Sequence, residues 1–378
     1  MKLLTIVFSN HCDLDCTYCC IGSKGLSPIL SVDDAYSFIK SNMDPEDNVL
    51  EFYGGEPYEH TEQMYSIVDM LRCDGLIDKF FIRAYTNGLS LFKNYYADMF
   101  SVYDADELLI SLDGLTYNNN SQRFKYKEDF ETVLNNIKLI AKKRIENRLP
   151  INTTLSQVIF GKDKAQNMLN VFNYFYNDVS CFSYELLTVW NDDKTVVVPK
   201  DVFKKFIDNM WKIAHFIVQF DTNGEKSLFV CKELLSSNHY FVEKEKCCSS
   251  IARAISPRGN VYMCRDHAAN EEHMFYGQHV IQFSNKNNLK MKDGGFDHIH
   301  KYENTHTPCV VKDMQYMFSS DVDKLYWLRD DFQEFIIRPL LEVVLAINSK
   351  DRSKELCDII ENYIKEKDTI WHVLYEKQ

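Results

Sequence analysis

Cys12, Cys16 and Cys19 stand at the spacing C-x3-C-x2-C within Cys-Asp-Leu-Asp-Cys-Thr-Tyr-Cys-Cys, residues 12 to 20. Thiolates are soft donors for zinc and iron–sulfur centres, and a set of four saturates either one. Three on one short loop leave a coordination position open, and an open position is where chemistry can occur. A zinc knuckle is the competing reading of the same spacing. Cys20 is a spare thiol that the spacing does not make a ligand. The loop follows the apolar run Leu3-Leu4-Thr5-Ile6-Val7-Phe8, which reads as a strand, so the thiols sit on a loop leaving a strand end.

With an aromatic residue, Tyr18, just before the last of the three cysteines, the loop resembles that of the radical S-adenosylmethionine (SAM) enzymes. The resemblance implies that Cys12, Cys16 and Cys19 bind three irons of a 4Fe–4S cluster and that SAM takes the fourth through its amino and carboxylate groups. One electron from the cluster then cleaves SAM to methionine and a 5′-deoxyadenosyl radical. A one-electron donor such as flavodoxin or ferredoxin is implied as a partner.

Further segments carry the same resemblance. The strand-like run 48–53 ends in Gly54-Gly55-Glu56-Pro57, where glycines let the backbone approach a ligand closely and the family's acid holds the SAM amino group. The run 80–85 ends in Thr86-Asn87-Gly88, and Asn87 lines the family's SAM site. The run 107–112 ends in Ser111-Leu112-Asp113-Gly114, followed nine residues later by Arg123. This is similar to the peptide- and protein-modifying branch, which includes sulfatase-maturing enzymes, and it makes Ser111, Asp113 and Arg123 SAM contacts. An arginine suits the methionyl carboxylate because its fork is bidentate. The branch often has a His-Asp pair before the arginine, whereas this chain has Asn118 to Gln122.

Helical periodicity separates these runs, with Ser31 as the expected N-cap of a first helix and Asp34 at the capping-box position. Met64, Ile67, Val68 and Leu71 mark a second helix, and Phe130, Val133, Leu134, Ile137 and Ile140 mark another over 128–143. Residues 150–155 and 182–187 read as fifth and sixth strands. The fold class expected is α/β: a partial (β/α)6 TIM-type barrel with a C-terminal twitch-like auxiliary domain and terminal helices. All four motifs fall at predicted C-terminal strand ends, where such barrels place their chemistry.

A chain of 378 residues that is 45% hydrophobic supports a sizeable core and more than one domain. The expected division is a barrel over 1–218, an auxiliary-cluster region over 219–320 and a helical segment over 321–378. No run of about 18 or more apolar residues predicts a membrane span. The N-terminus lacks a signal-peptide cleavage pattern. Twelve cysteines without a signal point to metal or cluster binding in a reducing, cytoplasmic setting. A net charge of −12 disfavours an extended nucleic-acid partner.

A second cysteine group begins at Cys247-Cys248 and reaches Cys264 across Gly259, an expected hairpin turn. Cys248-x10-Gly259-x4-Cys264 resembles the opening half of the SPASM or twitch extensions of radical SAM enzymes, which hold further 4Fe–4S clusters. The dense cysteine run of a full SPASM domain is absent, and Cys309 alone follows nearby. The resemblance therefore implies at most a second 4Fe–4S cluster on Cys247 or Cys248, Cys264 and Cys309. The other member of the pair or Cys231 is its fourth ligand. A domain that kept the fold and lost the cluster is the alternative. His298, His300 and His306 read as solvated loop residues, and Cys73, Cys181 and Cys357 as buried small hydrophobes.

The expected activity is hydrogen-atom abstraction from a peptide or protein side chain, giving a cross-link, thioether, epimerisation or oxidation. Because the cysteine loop begins at residue 12, a leader-peptide-binding domain would be a separate protein, or recognition would use the C-terminal half. A small molecule such as an aminocyclitol or a nucleotide-derived metabolite is the alternative substrate class. A non-catalytic binding protein that keeps the barrel is a third reading. Glu185, near the sixth strand, is the guess for a general base.

Overall fold

The structure, a computed structural model, describes residues 2–17, 19, 21, 28–149, 153–158, 170–171, 174–175, 181–185, 190–191, 194–195, 252–262, 265–269 and 282–284. The chain divides into two compact units, Met1–Ser111 with Ser121–Thr154 and Glu245–Thr305, and Leu112–Asn120 with Leu155–Lys244 and His306–Gln378. The division does not follow chain order, since Glu245–Thr305 belongs with the N-terminal strands.

The first unit opens with β1 (Lys2–Val7), α1 (Val32–Asn42), β2 (Asn48–Tyr53), α2 (Thr61–Cys73), β3 (Phe80–Thr86), α3 (Tyr95–Met99), β4 (Glu107–Ser111) and α4 (Lys127–Glu146). It continues with β9 (Ala252–Ile255), β10 (Val261–Tyr262), α5 (Arg265–Ala269) and β11 (Gln282–Ser284). β5 (Thr153–Val158), which begins in this unit and runs into the second, neighbours β6 (Cys181–Glu185). β7 (Trp190–Asn191) pairs antiparallel with β8 (Lys194–Thr195). The fifth and sixth strands thus lie slightly displaced from 150–155 and 182–187. The region 321–378 lies outside the described residues.

Sheet order in the first unit is β11-β10-β9-β1-β2-β3-β4. β1, β2, β3 and β4 pair in parallel, as the alternation of strand and helix requires. Ser31 caps α1 by accepting the Asp34 N–H at 3.0 Å. Along the strands Leu4 and Ile6, Leu50 and Phe52, Ile82 and Ala84, and Leu108 and Ile110 form one face, all buried. The opposite face is mixed, with Val7, Val49 and Leu109 beside a polar row. Thr5, Glu51, Arg83 and Glu107 are lateral partners in one continuous register. Layers of inward side chains are what a barrel interior contains, and the fold is that of a partial barrel.

The hairpin over Gly259 forms as expected, with β9 antiparallel to β10 and Gly259 at φ 78°. What the sequence did not indicate is that β9 pairs in parallel with β1, from Leu3↔Ala252 to Ile6↔Ile255. The hairpin therefore extends the barrel sheet. Cys73 is exposed rather than buried. It is the last residue of α2, whose buried stripe ends at Leu71, so it falls on the solvent side.

Candidate active site

The cysteine loop is stitched to the ends of the neighbouring strands by backbone bonds. Gly55 N–H donates to the Ser9 carbonyl at 3.1 Å and Glu56 N–H to the His11 carbonyl at 2.8 Å. These contacts explain the two glycines. Gly54 sits at φ 128°, and a Cβ on Gly55 would lie 1.8 Å from the His11 carbonyl oxygen. The close approach that the glycines permit is thus, in the first instance, the approach of the cysteine loop itself. Behind it, Ser9 Oγ is hydrogen-bonded to His60 Nε2 at 2.7 Å and accepts the His11 N–H at 3.2 Å. Burial pushes the His60 imidazole below its ordinary range.

On the far side, Thr17 N–H donates to the Gln122 carbonyl at 3.0 Å, and its hydroxyl to Gln122 Oε1 at 3.1 Å. The Cys16 thiol lies 4.0 Å from the Arg123 carbonyl. Gln122, where the branch often has His-Asp, here braces the loop. Arg123 is buried at 8% exposure.

Cys12 and Cys16 are half-buried, Cys19 is exposed, and all three are free thiols. The Cys19 N–H turns back to the Cys16 carbonyl at 3.1 Å. Burial pushes the Cys12 thiol up to about 12, and the Glu56 and Asp13 carboxylates add to that, against the opposing Leu14 N–H. The metal-free loop therefore holds a proton where a cationic centre would hold the thiolate. Among the described residues no three His, Cys, Asp or Glu side chains converge to hold one metal ion. A cubane asks something different, one thiolate for each of three irons, and three free thiols on one anchored loop are the donor set for it.

Glu56 is fully enclosed. Its Oε1 accepts the Tyr58 N–H at 3.0 Å and the Thr86 hydroxyl at 2.8 Å, and its Oε2 accepts the Asn87 N–H at 2.7 Å. Burial raises its carboxyl to about 8, the three donors opposing. Pro57 opens a short 3₁₀ turn, Pro57–His60, directly after it. Asn87 donates through Nδ2 to Asp13 Oδ1 at 2.6 Å. The ends of β2 and β3 and the cysteine loop thus form one hydrogen-bonded corner.

Ser111 closes β4, half-buried. In the second unit Asp113 is buried, its N–H donating to Asn120 Oδ1 at 2.8 Å. The Asn120 side-chain amide donates to the Gly114 carbonyl at 2.8 Å, fixing that turn. Tyr18, Cys231, Cys247, Cys248, Cys264 and Cys309 lie outside the described residues, as does the Glu185 side chain.

One interior cluster escaped the sequence reading. Arg265, at the start of α5, reaches Glu51 Oε2 at 3.1 Å and the Tyr85 hydroxyl at 2.5 Å. Its guanidinium lies 4.7 Å from the Tyr53 ring centroid and 4.6 Å from that of Tyr85. Glu51 Oε1 also accepts the Thr5 hydroxyl at 3.0 Å, and Arg83 Nε reaches Glu107 at 2.6 Å. The available signal was a charge in an apolar strand, Val49-Leu50-Glu51-Phe52, which an inward position explains.

Residues 6–175 match the model of the Radical SAM superfamily. No curated protein sequence matches the chain. Among solved structures the chain is similar to the anaerobic sulfatase-maturating enzyme anSMEcpe with bound AdoMet, at 18% identity and TM-score 0.56 over 80% of this chain and 83% of that one. It is also similar to that enzyme with bound AdoMet and Cp18Cys peptide, at 18% identity and TM-score 0.55 over 79% and 80%. A third is Streptococcus suis SuiB bound to precursor peptide SuiA, at 14% identity and TM-score 0.52 over 71% of this chain and 60% of that one.

Proposed function

We propose that the chain, whose residues 6–175 match the Radical SAM superfamily model, is an enzyme of that class and abstracts a hydrogen atom from a side chain of a peptide or protein. Its cofactors, a 4Fe–4S cluster and SAM, supply when bound a one-electron cleavage of a sulfonium and with it a primary-carbon radical.

Cys12, Cys16 and Cys19 would hold three irons. Gly54, Gly55, Glu56, Pro57, Asn87, Ser111 and Arg123 would hold SAM, and Glu56 would supply a carboxylate for its ammonium. A buried carboxylate with three neutral donors has capacity for one further donor.

The peptide reading is carried by the hairpin β9–β10, which lies beside β1 and sends Arg265 into the barrel interior. It adds two strands to the sheet beside β1. The fold it completes is similar to that of structures holding AdoMet with a peptide and a precursor peptide. A second cluster on Cys247 or Cys248, Cys264 and Cys309, with the other member of the pair or Cys231 as fourth ligand, belongs to the same proposal. So does an electron donor of the flavodoxin or ferredoxin kind.

The test is anaerobically reconstituted protein with SAM, dithionite and a pool of Cys-, Ser- and aromatic-containing peptides. Peptides should stimulate 5′-deoxyadenosine release and change in mass, and Cys16→Ala should abolish both. Stimulation by aminocyclitols or nucleotides and by no peptide would overturn the substrate class.

A further inference from the structure

The Asp13–Asn87 pair stands directly against Cys12. Asn87 Oδ1 accepts the Leu89 N–H at 2.9 Å, which fixes the orientation of the amide and turns its NH2 group toward the cysteine loop. That nitrogen donates to Asp13 Oδ1 at 2.6 Å and lies 4.0 Å from Cys12 Sγ. The Leu14 N–H reaches the same sulfur at 3.4 Å. Asn87 is also held from behind. Its own N–H is on Glu56, and the following Gly88 carbonyl accepts the Asn136 side-chain amide at 2.9 Å. At 6% exposure Asn87 is a preorganised donor rather than a solvated side chain.

We infer that Asn87 and Asp13 set the reduction potential of the SAM cluster in opposite directions through the Cys12 sulfur. The inference rests on the reading of Cys12 as a cluster ligand. Adding one electron to a cluster increases the negative charge on its sulfurs. An N–H dipole aimed at a ligating sulfur stabilises that charge and raises the potential. A carboxylate on the adjacent residue repels it and lowers the potential. Asn87 does the first directly, and by holding Asp13 Oδ1 it also screens the second. A role for Asn87 confined to touching SAM would leave the SAM-free potential where it is.

The test is an EPR-monitored redox titration of the anaerobically reconstituted full chain without SAM. The relevant signal is identified as the one that later addition of SAM perturbs. Asn87→Ala should shift the midpoint to lower potential and Asp13→Asn to higher. Unmoved midpoints, or two shifts of the same sign, overturn the inference. Where either variant takes up no iron, Asn87→Ser and Asp13→Ser take their place. If these also load no cluster while circular dichroism shows the native fold, the pair builds the loop instead of tuning it, and the inference fails. A wild type that holds zinc, or no 4Fe–4S cluster, overturns the reading of Cys12 itself. That result is distinct from a loaded cluster whose potential does not respond.

Discussion

Glu51 and Glu56 lie on either side of the C-terminal end of β2, 1% and 2% exposed, and the protein surrounds them differently. Glu51, in the barrel shaft, has cations: Arg265 at 3.1 Å and Arg83 at 4.0 Å, besides the Thr5 hydroxyl. Glu56, at the mouth, has two backbone N–H groups and one hydroxyl, and no ion pair with it occurs among the described residues. A buried charge without a counter-ion is costly, and the group responds by holding its proton. Glu56 accordingly rises to about 8 through burial. The shaft carboxylate is thus matched by cations of the protein, whereas among the described residues the mouth carboxylate is matched by neutral donors. On the function proposed above, the ammonium of SAM would be the cation for the mouth.

The largest expected effect belongs to the mouth. Gly55→Ala drives a Cβ into the His11 carbonyl, backbone that has no way to yield without moving the cysteine loop. Iron uptake on reconstitution should be lost while circular dichroism stays native. Normal iron content in Gly55→Ala would show that the loop is not braced on β2. The next effect belongs to the shaft. Glu51→Gln keeps the shape but leaves Arg265 and Arg83 without the carboxylate between them. Removing one partner of a buried pair costs about 3–5 kcal/mol, and because Arg265 is part-exposed the expectation here is about 1–3 kcal/mol. A denaturant midpoint that drops without a change in slope would report it. A loss well below about 0.5 kcal/mol would mean that the shaft charges are solvent-screened and the contrast with Glu56 is smaller than burial indicates.

The mouth was more legible in sequence than the shaft, for a physical reason. The residues at strand ends announce themselves by type: three cysteines on one turn, glycines where a side chain would collide, and an asparagine after a threonine at a strand's last step. Local spacing sufficed for these. Asn87 shows the limit, because its type was readable but its partner, Asp13, is 74 residues away. The shaft cluster depends on pairings the sequence does not display. Arg265 meets Glu51 across 214 residues only because β9 pairs with β1. The fifth and sixth strands were placed with small displacements, since apolar runs fix that a strand exists better than where it ends.

The smallest effect is a slope, and it separates the two glutamates most cleanly. The Glu56 carboxyl has an ordinary value of 4.5 and is raised to about 8 in the folded protein. The folded state therefore binds this proton more tightly than the unfolded chain does. Its contribution is fully present below 4.5 and is lost as pH rises through about 8. Other shifted groups leave the upper part of that window clear. His60, lowered from 6.5, acts only below it, and Cys12, raised from 9.0 to about 12, acts above it. Between about pH 7 and about pH 8.5 the metal-free protein should lose stability as pH rises. Glu56→Gln should flatten that slope at a fixed cost, since its amide would leave a donor unmatched. Glu51→Gln should lower the whole curve. In the cluster-loaded protein, SAM should remove the slope by placing a cation against Glu56. A slope that survives Glu56→Gln would assign the proton to another group and dissolve the contrast between mouth and shaft.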